Sequence, residues 1–360
     1  MMVVFSHLIA YFLARSTSQY NSDYLKFITD GWLAVWIFFV LSGYALSASQ
    51  LNSEKRNLAQ AAVARYFRLC IPILFTSLIA YFVLKMGLFY NIRAAEAAGS
   101  SQSWLGGFYT FDANLYEVIK FSLFDVFFAY DTLKTYNPPL WTMSIELAGS
   151  FIIYSYLGIF RSGGRTLWVV ALALALLLLL KNAPLACFMF GYLIAELNTR
   201  FPANKSVLVE VLSIAAFAAV VMVATYSRPE DVRAVCLMAV VAVLSVAYSS
   251  ALRGFFSGRL SGFLGKISFS LYLIHMVVIC SLSSYLFIDL PRHGFENGAS
   301  SNIILISTFL ACVVCAYLLL PIERLSIFYS KKIAALILDL GRGSRKVESS
   351  AVSSMLKDGA

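Results

Sequence analysis

The chain is predicted to be all-α, a polytopic membrane protein with about ten transmembrane helices. Three observations carry this. Of its 360 residues, 60% are hydrophobic and only 13% charged, a balance outside the range of soluble domains. The apolar residues fall in long runs, and mean hydropathy is +0.78. Aromatic residues make up 15%, with 29 Phe and 20 Tyr, as expected of lipid-facing and interfacial surfaces.

The runs read as spans are 1–14, 32–49, 67–90, 138–160, 166–181, 183–199, 206–226, 231–251, 267–290 and 302–323. The stretch 116–131 is apolar but carries Glu117, Lys120 and Asp125, which suits one re-entrant or interfacial helix better than a span. The first run is short: at about 1.5 Å per residue it reaches roughly 21 Å, against a hydrocarbon core of about 30 Å. The expectation is that the written start lies inside a longer first helix.

Basic residues give the orientation. With the amino terminus in the cytoplasm, 18 of the 28 Lys and Arg lie in inside segments and 10 outside. Counting 116–131 as a further span would invert everything after it and spoil this bias. Both ends are therefore expected in the cytoplasm, and the net charge of +9 is assigned to inside loops rather than to nucleic-acid binding. Residues 1–325 read as one transmembrane domain. Residues 326–360 read as a cytoplasmic tail, with an apolar stretch Ile333–Leu340 on the inner leaflet and disorder after Gly341. The longest polar insert, 91–115, is rich in Ala, Ser and Gly and is expected outside. The six cysteines lie in or beside apolar runs without metal spacing, and the C-x-x-C of Cys312 and Cys315 falls within a span, where packing is expected. No metal site is expected.

Four local patterns carry chemistry. His7 sits in an apolar run, where an ionisable side chain is expensive and reads first as functional; imidazole also moves protons near neutral pH. Phe38-Phe39-Val40-Leu41-Ser42-Gly43-Tyr44-Ala45-Leu46-Ser47 places hydroxyls inside a span. Arg65-Tyr66-Phe67-Arg68 puts two guanidinium groups three residues apart, on one helix face. Asn137-Pro138-Pro139-Leu140-Trp141-Thr142-Met143-Ser144-Ile145-Glu146 brings an outer loop into a span and buries a carboxylate.

In their order and spacing these patterns, with Leu264-Gly265-Lys266-Ile267-Ser268-Phe269-Ser270-Leu271-Tyr272-Leu273-Ile274-His275, resemble the membrane acyltransferase family 3, whose members O-acylate glycans. The resemblance covers nearly the whole chain. It implies ten spans with a cytoplasmic amino terminus, and transfer of an acyl group, acetyl first among them, from cytoplasmic acyl-CoA to a sugar hydroxyl at the outer face of the cell (inner) membrane. The acceptor would be an exopolysaccharide, an O-antigen or a lipo-oligosaccharide. No permanently bound cofactor is implied, since acyl-CoA is a substrate.

His7 matches the family's histidine and is the expected general base, with an acyl-histidine intermediate as the other route. Arg65 and Arg68 match its paired arginines and are expected on the phosphates of acyl-CoA; positive-inside bias is the plainer account of any one of them. Glu146 is expected either to act with the imidazole or acceptor, or to form a structural ion pair. Ser42 and Ser47 are candidates to line the pantetheine path, while Gly43 suits close helix contact. Trp141 is a candidate stacking platform for a sugar ring, or an ordinary interfacial Trp. Thr142, Ser144 and Asp30 are candidate polar contacts to the acceptor. His275 is expected to support structure, and His293 to be exposed. Two departures stand out: Ala34 and Trp36 occupy positions where the family has a small residue and an acid, and the family's Arg upstream of its His has no counterpart. The rival class is a transporter of a saccharide or small molecule, but the two halves show no matched, interrupted helices.

Overall fold

The computed structural model describes residues 1–14, 17–51, 57–98, 104–160, 165–201 and 206–357, and among them there is no strand. The principal helices are α1 (Met2–Leu13), α2 (Gly31–Leu51), α3 (Leu58–Lys85), α4 (Asn91–Ala97), α5 (Leu115–Lys120), α6 (Thr142–Ile159), α7 (Arg165–Lys181), α8 (Ala183–Arg200), α9 (Val207–Tyr226), α10 (Val232–Tyr248), α11 (Ser250–Phe256), α12 (Arg259–Val278) and α13 (Asn297–Lys357). The helical path of α5 runs on through a π-turn, Phe121–Asp125, to Phe128. These 14 residues reach about 21 Å, too short to cross unaided.

Among the described residues, six stretches are long and apolar enough to span: Asp23–Leu51, Leu58–Lys85, Pro138–Ile159, Val207–Tyr226, Arg259–His293 and Gly298–Leu340. A seventh arises if α10 and α11 count together, and α1 and Leu167–Lys181 are shorter apolar helices. The protein is thus a multi-pass, all-helical membrane protein. Its outward surface is apolar: Leu177 on α7, Leu212 on α9 and Leu318 on α13 are all exposed. Carboxylates and imidazoles such as Glu146 and His275 are fully buried, the distribution a lipid solvent selects.

Two apolar clusters form the interior. One gathers α1, α3, α12, α13 and the 104–136 region around Leu8, Ile73, Leu140 and Ile279. The other gathers α2, α7, α8, α9 and α10 around Trp36, Phe39, Phe188 and Cys236. Within the second, α2 and α8 form the most extensive helix pair. Glycines permit it: a Cβ on Gly43 would collide with the Phe188 carbonyl, and one on Gly191 with the Val40 carbonyl. Gly43 therefore serves helix packing.

One feature departs from the sequence reading. The run 231–251 does not continue straight. Helices α10 and α11 meet at 98° because the Glu210 carboxylate of α9 accepts from Ser249 Oγ (2.6 Å), Ser250 N (2.8 Å), Ser250 Oγ (3.0 Å) and Ala251 N (3.0 Å). It thereby caps α11 from a neighbouring helix. Helix α13 runs on past residue 325, and its helical backbone continues to Lys357. All six cysteines are free thiols, five of them buried and Cys315 half-buried. Cys312 and Cys315 lie on α13, and Cys312 packs into the first cluster.

Candidate active site

His7 lies in the π-helical part of α1, Ser6–Leu13, a wider turn that recurs at functional sites. Its Nδ1 is 2.9 Å from Nε2 of His275 on α12. The ring centroids are 5.1 Å apart with 11° between the planes, so the bond lies close to the plane of both rings. His275 is fully buried. Its Nδ1 lies 2.8 Å from the Tyr272 carbonyl and 3.3 Å from that of Leu271.

This part of α12 is held by the 137–142 loop. Asn137 Nδ2 donates to the Leu273 carbonyl at 2.5 Å. The Tyr272 hydroxyl meets Thr142 Oγ1 at 2.6 Å and donates to the Pro139 carbonyl. Tyr130 in turn donates to the Pro138 carbonyl at 2.7 Å. Burial pushes the Tyr130 phenol up to about 12, so it remains a donor across the physiological range. The two prolines offer their carbonyls to these hydroxyls and pre-set the turn that enters α6. Among the described residues, Asn137 Oδ1 is buried without a partner.

One turn further along α6, Glu146 is fully buried. It accepts from Ser42 Oγ of α2 at 2.6 Å and from Arg65 Nη2 of α3 at 2.5 Å. Arg65 Nε donates to Ser150 Oγ at 3.0 Å, and Ser150 donates to the Glu146 carbonyl at 2.6 Å. The carboxylate therefore ties three helices together, and its side-chain partners among the described residues are Ser42 and Arg65 rather than His7. Arg65 and Arg68 both line a cavity of about 450 Å³ with Gln50, Asn57, Gln60 and Lys331. Arg68 and Lys331 are exposed, and no carboxylate lies within ion-pair distance of either among the described residues. With Arg65 paired to Glu146, Arg68 and Lys331 give this cavity an excess of positive charge.

A second cavity of about 490 Å³ is lined by Thr17, Ala97, Phe287, Arg292, Ser300 and Ser301, among others. Helix α13 lines both cavities, at Ser301 and at Ile327. Twenty-six residues separate those positions, about 39 Å at 1.5 Å per residue, close to the full thickness of a bilayer, about 40–45 Å with its headgroups. The cavities thus sit at opposite ends of the bundle. The polar side chains of the interior form separate groups: Arg65 and Ser42 on Glu146, and Thr142 on Tyr272, whose carbonyl meets His275, which in turn meets His7.

The remaining sequence candidates have local partners. Ser47 is fully buried and donates to the Gly43 carbonyl at 2.7 Å. Asp30 caps α2, its Oδ1 accepting from Leu33 N at 2.9 Å. Ser144 donates to the Trp141 carbonyl at 3.1 Å, and Trp141 stacks on Trp32 at 5.9 Å. The rings beside His7 are Trp104, at 5.0 Å, and Tyr11, at 6.1 Å, with 5.2 Å between them. Sequence reading missed both, although Tyr11 follows His7 by four residues and so shares its face. It also missed Lys331, which reaches the Arg65 cavity only through the length of α13.

A family model described as an acyltransferase domain matches residues 1–320 of the chain. No curated protein and no solved structure matches it.

Proposed function

We propose, from the premise that the chain belongs to acyltransferase family 3 and is therefore an enzyme, that it moves an acyl group, acetyl in the simplest case, from acyl-CoA to a carbohydrate hydroxyl. The observation that carries the donor is the cavity lined by Arg65, Arg68 and Lys331. Acyl-CoA presents phosphates at its nucleotide end, and guanidinium forks suit them. Gly31 at the start of α2 packs on Ser6, while Leu46 of the same helix lines that cavity. Fifteen residues of helix, about 22 Å, separate the two levels, a distance suited to the extended pantetheine arm that carries the thioester toward His7.

In this reading His7 Nε2 removes the proton of the acceptor hydroxyl as its oxygen attacks the thioester carbon. The carbon–sulfur bond breaks, and the thiolate takes the proton back from the imidazolium to leave as free CoA. A positioned base of this kind contributes about 10²–10⁴-fold in rate. Trp104 and Tyr11 would pack against the acceptor sugar, whose apolar ring face suits an aromatic surface. Ser42 and Glu146 would hold Arg65 at the cavity rather than touch the reacting atoms.

The topology belongs to the same proposal. Ten crossings would follow if the six long spans, the bent pair, the two shorter apolar helices and α8 each cross. The 18-to-10 division of basic residues supports both ends inside, with the Arg65 cavity facing the cytoplasm of the inner membrane. The test is incubation of membranes with labelled acetyl-CoA, then separation of polysaccharide and lipid-linked fractions. Label is expected in one of them with the wild type and in neither with His7→Ala. Donor consumed without label in either fraction overturns glycan acylation, and wild-type transfer by His7→Ala overturns the base.

A further inference from the structure

We infer that His275 is the positioning residue of the reaction: it fixes the tautomer of His7 and shares the charge that His7 acquires. The inference rests on His7 acting as the base. Carbonyl oxygens only accept, so His275 Nδ1, 2.8 Å from the Tyr272 carbonyl, carries its proton. His275 is fully buried, and no carboxylate lies within ion-pair distance of either ring among the described residues. A resident imidazolium would be an uncompensated buried charge, so the ring is neutral. Its Nε2 is then bare and can only accept. The 2.9 Å contact must therefore be donated by His7 Nδ1–H, which leaves the lone pair on His7 Nε2. With the protons exchanged between its nitrogens, His7 would face the acceptor with an N–H and could not act as a base.

The same bond strengthens during the reaction. When His7 Nε2 takes the acceptor proton, Nδ1–H becomes a cationic donor to His275 Nε2, and charge-assisted bonds are about twice as strong as neutral ones. An interaction that grows only with the developing charge lowers the barrier rather than merely binding substrate. The usual carboxylate orienter would serve, but at this depth it would need its own counter-charge. A neutral imidazole needs only the Tyr272 carbonyl. The 137–142 loop then acquires a role, because its bonds to Leu273 and Tyr272 hold in place the turn of α12 that offers that carbonyl.

Two substitutions separate positioning from packing. In His275→Gln the amide oxygen can reach where Nε2 stands and keep the acceptor; His275→Met fills similar volume without one. In the full-length enzyme, His275→Met is expected to lower kcat by about 10²-fold or more with little change in KM for acetyl-CoA, since losing the correct tautomer in the serine-protease triad costs about 10⁴. His275→Gln is expected to recover at least tenfold of that loss. Nitrogen NMR gives a readout independent of turnover. The chain has only three histidines, and His293→Gln, at an exposed site, leaves two. His7 is expected to be protonated on Nδ1 in the wild type and in His275→Gln, and on Nε2 in His275→Met. Equal activity of His275→Met and wild type, equal losses in the Met and Gln variants, or His7 protonated on Nε2 in the wild type each overturn the inference. If His7→Ala is inactive while His275→Met is normal, only this inference fails; if His7→Ala is fully active, the base assignment itself has failed.

Discussion

Removing the guanidinium from the Arg65–Glu146 pair should damage the fold more than removing the carboxylate. The side chain of Glu146 is 0% exposed and that of Arg65 12%. Arg65→Met leaves a carboxylate sealed inside the bundle with the Ser42 hydroxyl as its remaining side-chain donor among the described residues. Breaking a buried pair from one side typically costs about 3–5 kcal/mol, and this is the unfavourable side. Glu146→Gln keeps the shape and an oxygen that still accepts from Arg65 or Ser42. The guanidinium it leaves behind borders a cavity and keeps Ser150. Its cost should be nearer 1–3 kcal/mol, roughly that of a weakened hydrogen bond to a charged group. Because the two share one interaction, the double variant should fall short of the summed costs by about 1–3 kcal/mol. Reversible unfolding in mixed detergent micelles, followed by tryptophan fluorescence, measures all four proteins. A cost below 1 kcal/mol for Arg65→Met, or strict additivity in the double variant, would refute the view that this pair ties α2, α3 and α6 together.

Other outcomes follow from the same geometry. Arg68→Lys should raise KM for acetyl-CoA about tenfold with kcat nearly unchanged, since one charged hydrogen bond is worth about 1.5 kcal/mol or more; an unchanged KM counts against a phosphate role. Trp104→Ala should raise KM for the acceptor but not for acetyl-CoA, by about 2- to 10-fold for an aromatic contact of 0.5–1.5 kcal/mol; a change confined to the donor would mean that Trp104 serves the other substrate. Gly43→Ala should destabilise the α2–α8 pair by about 1–3 kcal/mol despite the better helix propensity of Ala, read as a lower apparent Tm; a rise would show that the two helices can part without loss.

The sequence shows which residues are costly but not what each is costly for. Apolar runs mark the helices because period and length are local properties, and His7, Arg65 and Glu146 stand out because charge is rare in such runs. Their partners are set by tertiary packing. His275 lies 268 residues from His7, and Glu146 meets Arg65 across 81 residues. The bend at Ser249 was hidden for the same reason, its cause lying 39 residues upstream at Glu210. Ser47 and Asp30 teach the opposite lesson. A helical Ser that bonds its own i−4 carbonyl, and an Asp that precedes a helix, have local uses that require no ligand.

The burial of the thiols has a practical consequence for establishing sidedness. Thiol-selective reagents attack the thiolate and need water to reach it, and five of the six native sulfurs are buried while the sixth, Cys315, sits within the stretch Gly298–Leu340. Native background with a membrane-impermeant maleimide should therefore be low without first building a cysteine-free protein. Single cysteines placed at the two cavity mouths would then report, one position at a time, which end of the bundle faces each compartment.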